Sequence, residues 1–140
     1  MVLIQKTDDF AKIQDIRTKI FNQEMGLSNS DIFDEDDKKL EQFLIISEDG
    51  NTAVGTFRLR EKDNSHKIER MGILSEYRSK GYGRSALNKI KIYCKKAGKS
   101  KIVLDSIYDV RKFYAKSGFV QAGEAYLKVE IPHVNMYCDL

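Results

Sequence analysis

Two spacings of apolar residues run along the chain, and they predict helices and strands in alternation. Where apolar residues recur three or four positions apart, they form one face of a helix. This pattern predicts helices after Thr7, over residues 81–97 and over residues 109–117. Where short apolar runs lie between turn residues, they predict strands. The predicted strands cover residues 3–6, 43–46, 52–60, 67–74, 102–104, 119–128 and 131–137.

The order of these elements predicts one α/β domain over residues 1–140, with a mixed sheet. The turn Asp49-Gly50-Asn51 joins two strands as a hairpin, so the second to fourth strands form an antiparallel meander. Residues 102–104 are wholly apolar, which is typical of a central parallel strand. Residues 28–39 are polar and acidic, and they predict a surface loop with a short helical turn.

Composition excludes several classes of protein. The chain has 140 residues, of which 41% are hydrophobic, and this argues against disorder. A net charge of only +3 is low for a dedicated nucleic-acid binder, so no nucleic-acid partner is expected. Two cysteines, with no Cys/His cluster of zinc spacing, predict a reducing cytoplasm and no metal. The chain holds no apolar run of membrane-spanning length and no recognisable signal peptide, so no membrane is expected.

The most informative segment joins a predicted strand to the long helix of residues 81–97. Gly81 and Gly83 allow close approach of the backbone to a ligand, and the free N–H groups of a helix start favour an anion. Arg78, Lys80 and Arg84 add positive charge at the same place. Together these features fit pyrophosphate. The predicted site comprises Arg78, Ser79, Lys80, Gly81, Tyr82, Gly83, Arg84 and Ser85.

Other interpretations of this segment stay open at this point. It could be a tight turn before a capped helix. Residues 81–86 also match the dinucleotide fingerprint G-x-G-x-x-G/A, with Asp105 in the place of a ribose-binding acid. Against that fingerprint, six residues separate the strand from Gly81, a meander precedes it, and only 35 residues follow Asp105.

The segment resembles a known acyl-CoA-binding signature. Residues 78–83 match R/Q-x-x-G-x-G/A, the signature of the GNAT superfamily of N-acetyltransferases, and residues 109–119 resemble the family's helix ending in F-Y-x-x-x-G-F. The run Ile131-Pro132-His133-Val134-Asn135-Met136 resembles that of a small uncharacterised bacterial and archaeal subgroup. The resemblance implies the acyl-CoA N-acyltransferase fold: a mixed, mostly antiparallel sheet of six or seven strands flanked by about four helices.

The same resemblance implies an enzyme that transfers an acetyl group from acetyl-CoA to a primary amine. The amine, in a small molecule or a protein, would attack the thioester directly. Tyr114 would protonate the CoA thiolate. The pantetheine arm would pair with Met71, Gly72 and Ile73, where Gly72 suits a β-bulge. A homodimer is left open, as are the alternatives of a non-catalytic acyl-CoA sensor and a dinucleotide-binding domain.

The general base is less defined than the acid. Glu69 is placed by strand alternation on the same face as Met71 and Ile73. His133 is a second candidate, because imidazole titrates near neutral pH. Glu24, which ends the first helix near the acceptor mouth, is a third candidate base, and water as the proton carrier is left open. Glu24 and Phe21 are the predicted substrate-binding residues. The acidic run of residues 31–37 either attracts a cationic amine or is a solvated loop.

Overall fold

A seven-stranded sheet organises the computed structural model, which describes all 140 residues. Its strands are β1 (Leu3–Lys6), β2 (Glu41–Ile46), β3 (Ala53–Lys62), β4 (Ser65–Ile73), β5 (Lys101–Ile107), β6 (Val120–Lys128) and β7 (Ile131–Asp139). They lie in the order β1-β2-β3-β4-β5-β7-β6, and only β4 and β5 pair in parallel. The predicted mixed, mostly antiparallel sheet is confirmed. The dinucleotide-binding alternative is wrong, because it needs a doubly wound parallel sheet.

Four α-helices accompany the sheet, as the resemblance implied. They are α1 (Phe10–Arg17), α2 (Asn29–Ile32), α3 (Tyr82–Lys96) and α4 (Arg111–Ala115). A π-helical segment, Thr18–Glu24, continues α1, and 3₁₀ turns cover Glu35–Lys38, Ser75–Tyr77 and Tyr108–Val110. No helix is long and apolar enough to cross a membrane.

Helices pack on both faces of the sheet. On one face, α3 buries the predicted stripe of Ala86, Leu87, Ile90 and Cys94, each 0% exposed. The fifth predicted member, Ala97, is exposed because α3 ends at Lys96. On the other face, the helix beginning at Phe10 buries a smaller cluster against β2. That cluster consists of Ile13, Ile16, Ile20 and Leu44.

A β-bulge in β4 breaks the alternation of its side chains. Arg58 pairs with Glu69 and Thr56 pairs with Gly72, so Phe57 lies opposite two residues of β4 instead of one. One of those two, Arg70, has the left-handed φ of +55° that a bulge position uses. The bulge therefore lies at residues 70–71, and its predicted position at Gly72 is wrong.

Gly72 is needed for a different reason. A Cβ atom there would lie 3.0 Å from Ile20 Cδ1 and 3.3 Å from Phe21 Cζ. The missing side chain lets the π-helical segment lie directly on β4, which places Phe21 beside the strand.

Just before the bulge, β4 and β5 diverge. Their parallel pairing runs only from Ser65 with Lys101 to Ile68 with Leu104, while β5 continues to pair with β7 as far as Ile107. Residues 69–73 of β4 therefore have no strand on that side. The N–H of Leu74 bonds to Val54 on the β3 side, so by alternation the N–H of Ile73 points to the open edge.

Candidate active site

A cavity of about 190 Å³ lies at the fork between β4 and β5. Its walls come from the π-helical segment, β4, β5, β7, α4 and the β6–β7 turn. Five of the predicted site residues line it together: Phe21, Glu69, Met71, Tyr114 and His133. Residues from four separate parts of the sequence thus meet where the sheet opens.

Tyr114 reaches this cavity from α4. Its ring packs edge-to-face on Phe113 and Phe119, with ring centroids 5.0 and 5.9 Å away. Its hydroxyl makes no hydrogen bond to the protein. Burial raises the pKa of Tyr114 to about 12, so the phenol stays protonated at neutral pH. Such a group can donate a proton into the cavity but cannot act there as a base.

His133 lines the same cavity from β7. The side chain is 7% exposed, and its Nδ1 lies 2.7 Å from the carbonyl oxygen of Ile131. That oxygen can only accept, so Nδ1 carries the hydrogen and the neutral ring keeps a lone pair on Nε2. Nε2 has no protein partner. Of the predicted bases, His133 is the one with a free proton-accepting atom at the cavity.

Glu69 does not share a face with Met71 and Ile73, because the bulge reverses the alternation between them. Its carboxylate lies 2.8 Å from the guanidinium of Arg58 and 3.0 Å from that of Arg60. Burial alone would raise the pKa of Glu69, but hydrogen bonds from these two arginines outweigh it and leave the pKa lowered. The structure makes Glu69 a poor general base.

Glu24 lies outside the cavity, contrary to its predicted place at the acceptor mouth. Its carboxylate pairs with Arg78, whose Nη2 lies 2.5 Å from Glu24 Oε1. Arg78 also donates from Nε to the carbonyl oxygen of Ile73. Arg78 therefore links the glycine loop, residues 78–84, both to the π-helical segment and to the end of β4.

The loop before α3 presents a continuous row of free backbone donors. None of the N–H groups of residues 79–84 donates a hydrogen bond within the protein, and the first bonded amide is that of Ser85. The backbone is left-handed at Ser79 (φ +61°) and at Gly81 (φ +82°), which turns successive N–H groups to one concave side. Lys80 and Arg84 lie on this loop without an anionic partner. The arrangement suits a phosphate group at a helix start.

Three details of the predicted phosphate site change. The N–H of Ser85 bonds to Gly81, and its hydroxyl accepts a hydrogen bond from the Val2 N–H, so Ser85 supports the fold. Gly83 makes room for packing, because a Cβ atom there would lie 2.8 Å from Phe113 Cζ. Gly81 has a left-handed backbone (φ +82°), and a Cβ atom there would make only an ordinary contact with Met1.

Two aspartates of the acidic run are held by buried arginines and are not free to attract a ligand. Asp34 and Asp37 bind the buried guanidinium of Arg58 at 2.8 Å, and Asp37 also binds Arg17 at 2.9 Å. Arg17 and Arg58 are 0% and 1% exposed. We call these four residues, with Glu69, Arg60, Arg70 and Asp36, the charge cluster. Asp31 is the member of the run that reaches the cavity.

The cavity also contains a group that the sequence suggested for another role. Asp105 lies on its wall, 3.0 Å from Lys67 Nζ and 3.2 Å from Lys128 Nζ. The sequence analysis predicted neither lysine as a site residue. Lys67 occupies an alternating strand position and Lys128 precedes a turn, so neither carries a local signal of a site.

Comparison with known proteins identifies the chain's relatives. The family model described as "Acetyltransferase (GNAT) domain" matches residues 19–140. A Bacillus subtilis protein named as an acetyltransferase is 33% identical over 134 residues, covering 95% of this chain and 91% of its own.

Solved structures share the fold. A structure titled as an N-acetyltransferase from Lactobacillus plantarum has a TM-score of 0.88 at 22% identity, covering 100% of this chain and 97% of its own. A Bacillus subtilis acetyltransferase in complex with CoA has a TM-score of 0.77 at 18% identity, covering 100% and 99%. At these identities the likeness is one of fold alone.

Proposed function

We propose, from the premise that this chain belongs to the GNAT acetyltransferase family, that it transfers an acetyl group from acetyl-CoA to a primary amine. The observation that carries the proposal is the cavity at the fork between β4 and β5, which Tyr114 lines and where the edge of β4 has no partner strand. The free N–H groups of residues 79–84 follow that edge closely along the chain.

The residues present fit acetyl-CoA as the donor. A pyrophosphate carries negative charge and many acceptor oxygens, which match the unpaired N–H groups with Lys80 and Arg84. The open edge at Ile73 can pair with a pantetheine arm as an added strand does. A structural relative was solved in complex with CoA, which supports the same ligand here.

Bound acetyl-CoA would supply an activated acetyl carbon and a thiolate leaving group. The attacking amine nitrogen forms the new C–N bond while the C–S bond breaks. Tyr114 donates its phenolic proton to the sulfur. His133 Nε2, directly or through water, accepts the proton that the amine nitrogen loses. Starting from the neutral amine, Tyr114 and His133 thus move one proton each, and an amine that arrives as a cation first releases one proton to water.

The cavity supports a small acceptor. Its volume of about 190 Å³ is modest, and much of its wall is apolar, including Phe21, Met71 and Ile131. Lys67 and Lys128 both pair with Asp105, whereas Asp31 accepts a hydrogen bond only from the hydroxyl of Ser28, which precedes its helix. We propose that Asp31 attracts the cationic form of the amine to the mouth.

The test is acetyl transfer to a panel of small primary amines, measured by CoA thiol release. Tyr114→Phe should lower kcat by roughly 10²–10⁴-fold, the usual contribution of a general acid. Tyr137→Phe is the matched control, because its hydroxyl makes no hydrogen bond and lies outside the cavity. We expect the control to keep wild-type kcat.

Calorimetric titration with acetyl-CoA separates the alternatives. Binding without transfer to any amine would favour a non-catalytic acyl-CoA sensor. Equal kcat for Tyr114→Phe and wild type would contradict the assigned acid. Absence of binding would overturn the enzyme and the sensor together.

Location and assembly are proposals of the same kind. The unpaired Cys94 and Cys138 support a reducing cytoplasm. A homodimer is supported by β6, an edge strand whose Val120 and Leu127 are 53% and 72% exposed. Membership of the small subgroup with the Ile131-Pro132-His133 run also stays a prediction.

A further inference from the structure

A second cluster of ligating groups lies at the end of the sheet away from the cavity. It joins Glu41 at the start of β2, Glu61 near the end of β3 and His66 near the start of β4. One ligating atom from each of these three side chains lies within 4.8 Å of the other two. None of these three residues lines the cavity or belongs to the glycine loop.

The histidine is the independent sign of a ligand. His66 is 1% exposed, and its Nε2 atom is buried without any hydrogen-bond partner. Buried polar atoms are nearly always paired, so an orphan of this kind requires an explanation. Nε2 lies 3.7 Å from Glu61 Oε1, too long for a hydrogen bond but close to the spacing of two ligands on one metal ion.

The other ring nitrogen is held in place. His66 Nδ1 lies 3.1 Å from the Sγ atom of the buried Cys94. Metal binding requires the tautomer in which Nδ1 carries the hydrogen and donates it to Sγ, which leaves the lone pair of Nε2 free beside Glu61. Metal-binding histidines commonly have their second nitrogen fixed in this way.

Glu41 is oriented as well. The Tyr93 hydroxyl donates to Glu41 Oε2 at 2.6 Å, which leaves Oε1 available. Glu61 is 67% exposed along its side chain, so it can close over an ion that enters from solvent. The cluster thus has one buried nitrogen, one oriented carboxylate and one mobile carboxylate.

We propose that Glu41, Glu61 and His66 bind one zinc ion, with water completing its coordination. One imidazole nitrogen and two carboxylate oxygens are ordinary zinc ligands. Lys99 competes for the site, because its Nζ lies 3.6 Å from Glu61 Oε1. Zinc binding requires this ammonium group to turn away. No sequence motif marks this site, because its three ligands come from three strands and follow no zinc spacing.

The experiment is titration of the chelator-treated full-length protein with Zn²⁺ alone, in competition with a chelating dye. We expect one ion per chain. Glu61→Gln and Glu41→Gln should each weaken binding by about tenfold or more. Glu48→Gln, the same change at an exposed carboxylate on the β2–β3 turn, should have no effect. Lys99→Gln should strengthen binding, because it removes the competing cation.

Substitution with Co²⁺ identifies the ligands. Cys94 lies on the Nδ1 side of His66, so the cobalt spectrum should lack a thiolate charge-transfer band. Such a band would overturn the ligand set. So would an unchanged zinc affinity in both glutamine variants, or the absence of saturable binding. The assay is independent of catalysis, so failure of the proposed enzyme function leaves its result intact.

Discussion

The glycine loop of residues 78–84 and the acidic segment of residues 31–37 are both dense in charge, but the structure uses them in opposite ways. In the loop, six consecutive N–H groups are unpaired, and Lys80 and Arg84 have no anionic partner. In the acidic segment, Asp34 and Asp37 are bound by arginines from β3 and α1. The first region is ready for a ligand, whereas the second is already neutralised by the protein.

The difference lies in what the neighbouring elements provide. Every second position of β3 is polar at Thr56, Arg58 and Arg60. This alternation predicts a stripe of side chains that faces solvent. The structure covers this stripe with α1 and the acidic segment, so the charges meet in a buried cluster. Charge in a sequence therefore indicates a ligand site only where no opposing element supplies the counter-charge.

The largest expected effect comes from breaking the neutralised region. Arg58→Met leaves Asp34, Asp37 and Glu69 without their shared cation. Removing one partner of a buried ion pair destabilises a protein by about 3–5 kcal/mol. Urea unfolding followed by circular dichroism should show a loss of this size. If the variant is too unstable to purify, Arg60→Met, at a site 33% exposed, should show a smaller loss of about 1 kcal/mol.

Arg84→Met is the matched change in the open region. The Arg84 guanidinium has no partner in the protein. The free energy of unfolding of the Arg84→Met variant should therefore stay within about 0.5 kcal/mol of wild type. The affinity of this variant for acetyl-CoA should fall instead.

A stable Arg58→Met protein would contradict the structural role of the charge cluster.

The sequence predicted the features that depend on local pattern. The stripe of Ala86, Leu87, Ile90 and Cys94 on α3 follows from helical periodicity alone. Glycines and cations at a helix start predicted a phosphate site at residues 78–85, which stays a prediction. Tyr114 was predicted from resemblance to a family and His133 from the chemistry of imidazole, and both line one cavity.

The features that were mispredicted depend on contacts between distant residues. The bulge at Arg70 moved Glu69 to the other face of β4, and strand alternation cannot show such an insertion. The sequence analysis predicted Glu24 at the acceptor mouth. In the structure Glu24 binds Arg78, 54 positions later in the chain, at the glycine loop. The proposed zinc ligands, Glu41, Glu61 and His66, are likewise separated in sequence and come together only in the folded sheet.

A smaller effect should separate the loop from the rest of its helix. Gly81 and Gly98 flank the two ends of α3, and both have φ of +82° with room for a Cβ atom. Alanine at either position therefore carries the same left-handed strain, about 1–2 kcal/mol of stability. Only Gly81→Ala should disturb the free N–H row, and its affinity for acetyl-CoA should fall on the order of tenfold.

Calorimetry with acetyl-CoA on the two alanine variants provides the measurement. Comparable losses of affinity in both would mean that general instability, and not the loop, is responsible. An unchanged affinity in Gly81→Ala would remove the N–H row from the donor site.

The smallest effect concerns pH. Hydrogen bonds from Arg58 lower the pKa of Asp34 from 3.8 to about 2. A carboxyl whose pKa is depressed by folding stabilises the protein above its unfolded pKa, and that contribution is lost as pH falls through the folded value. The free energy of unfolding should therefore decline between about pH 4 and pH 2, and less steeply in Asp34→Asn than in wild type. Arg84→Met should keep the wild-type slope, because residues 78–84 contain no carboxylate. Parallel slopes in Asp34→Asn and wild type would mean that Asp34 is not held by Arg58 in solution, and the acidic segment would then resemble the open loop after all.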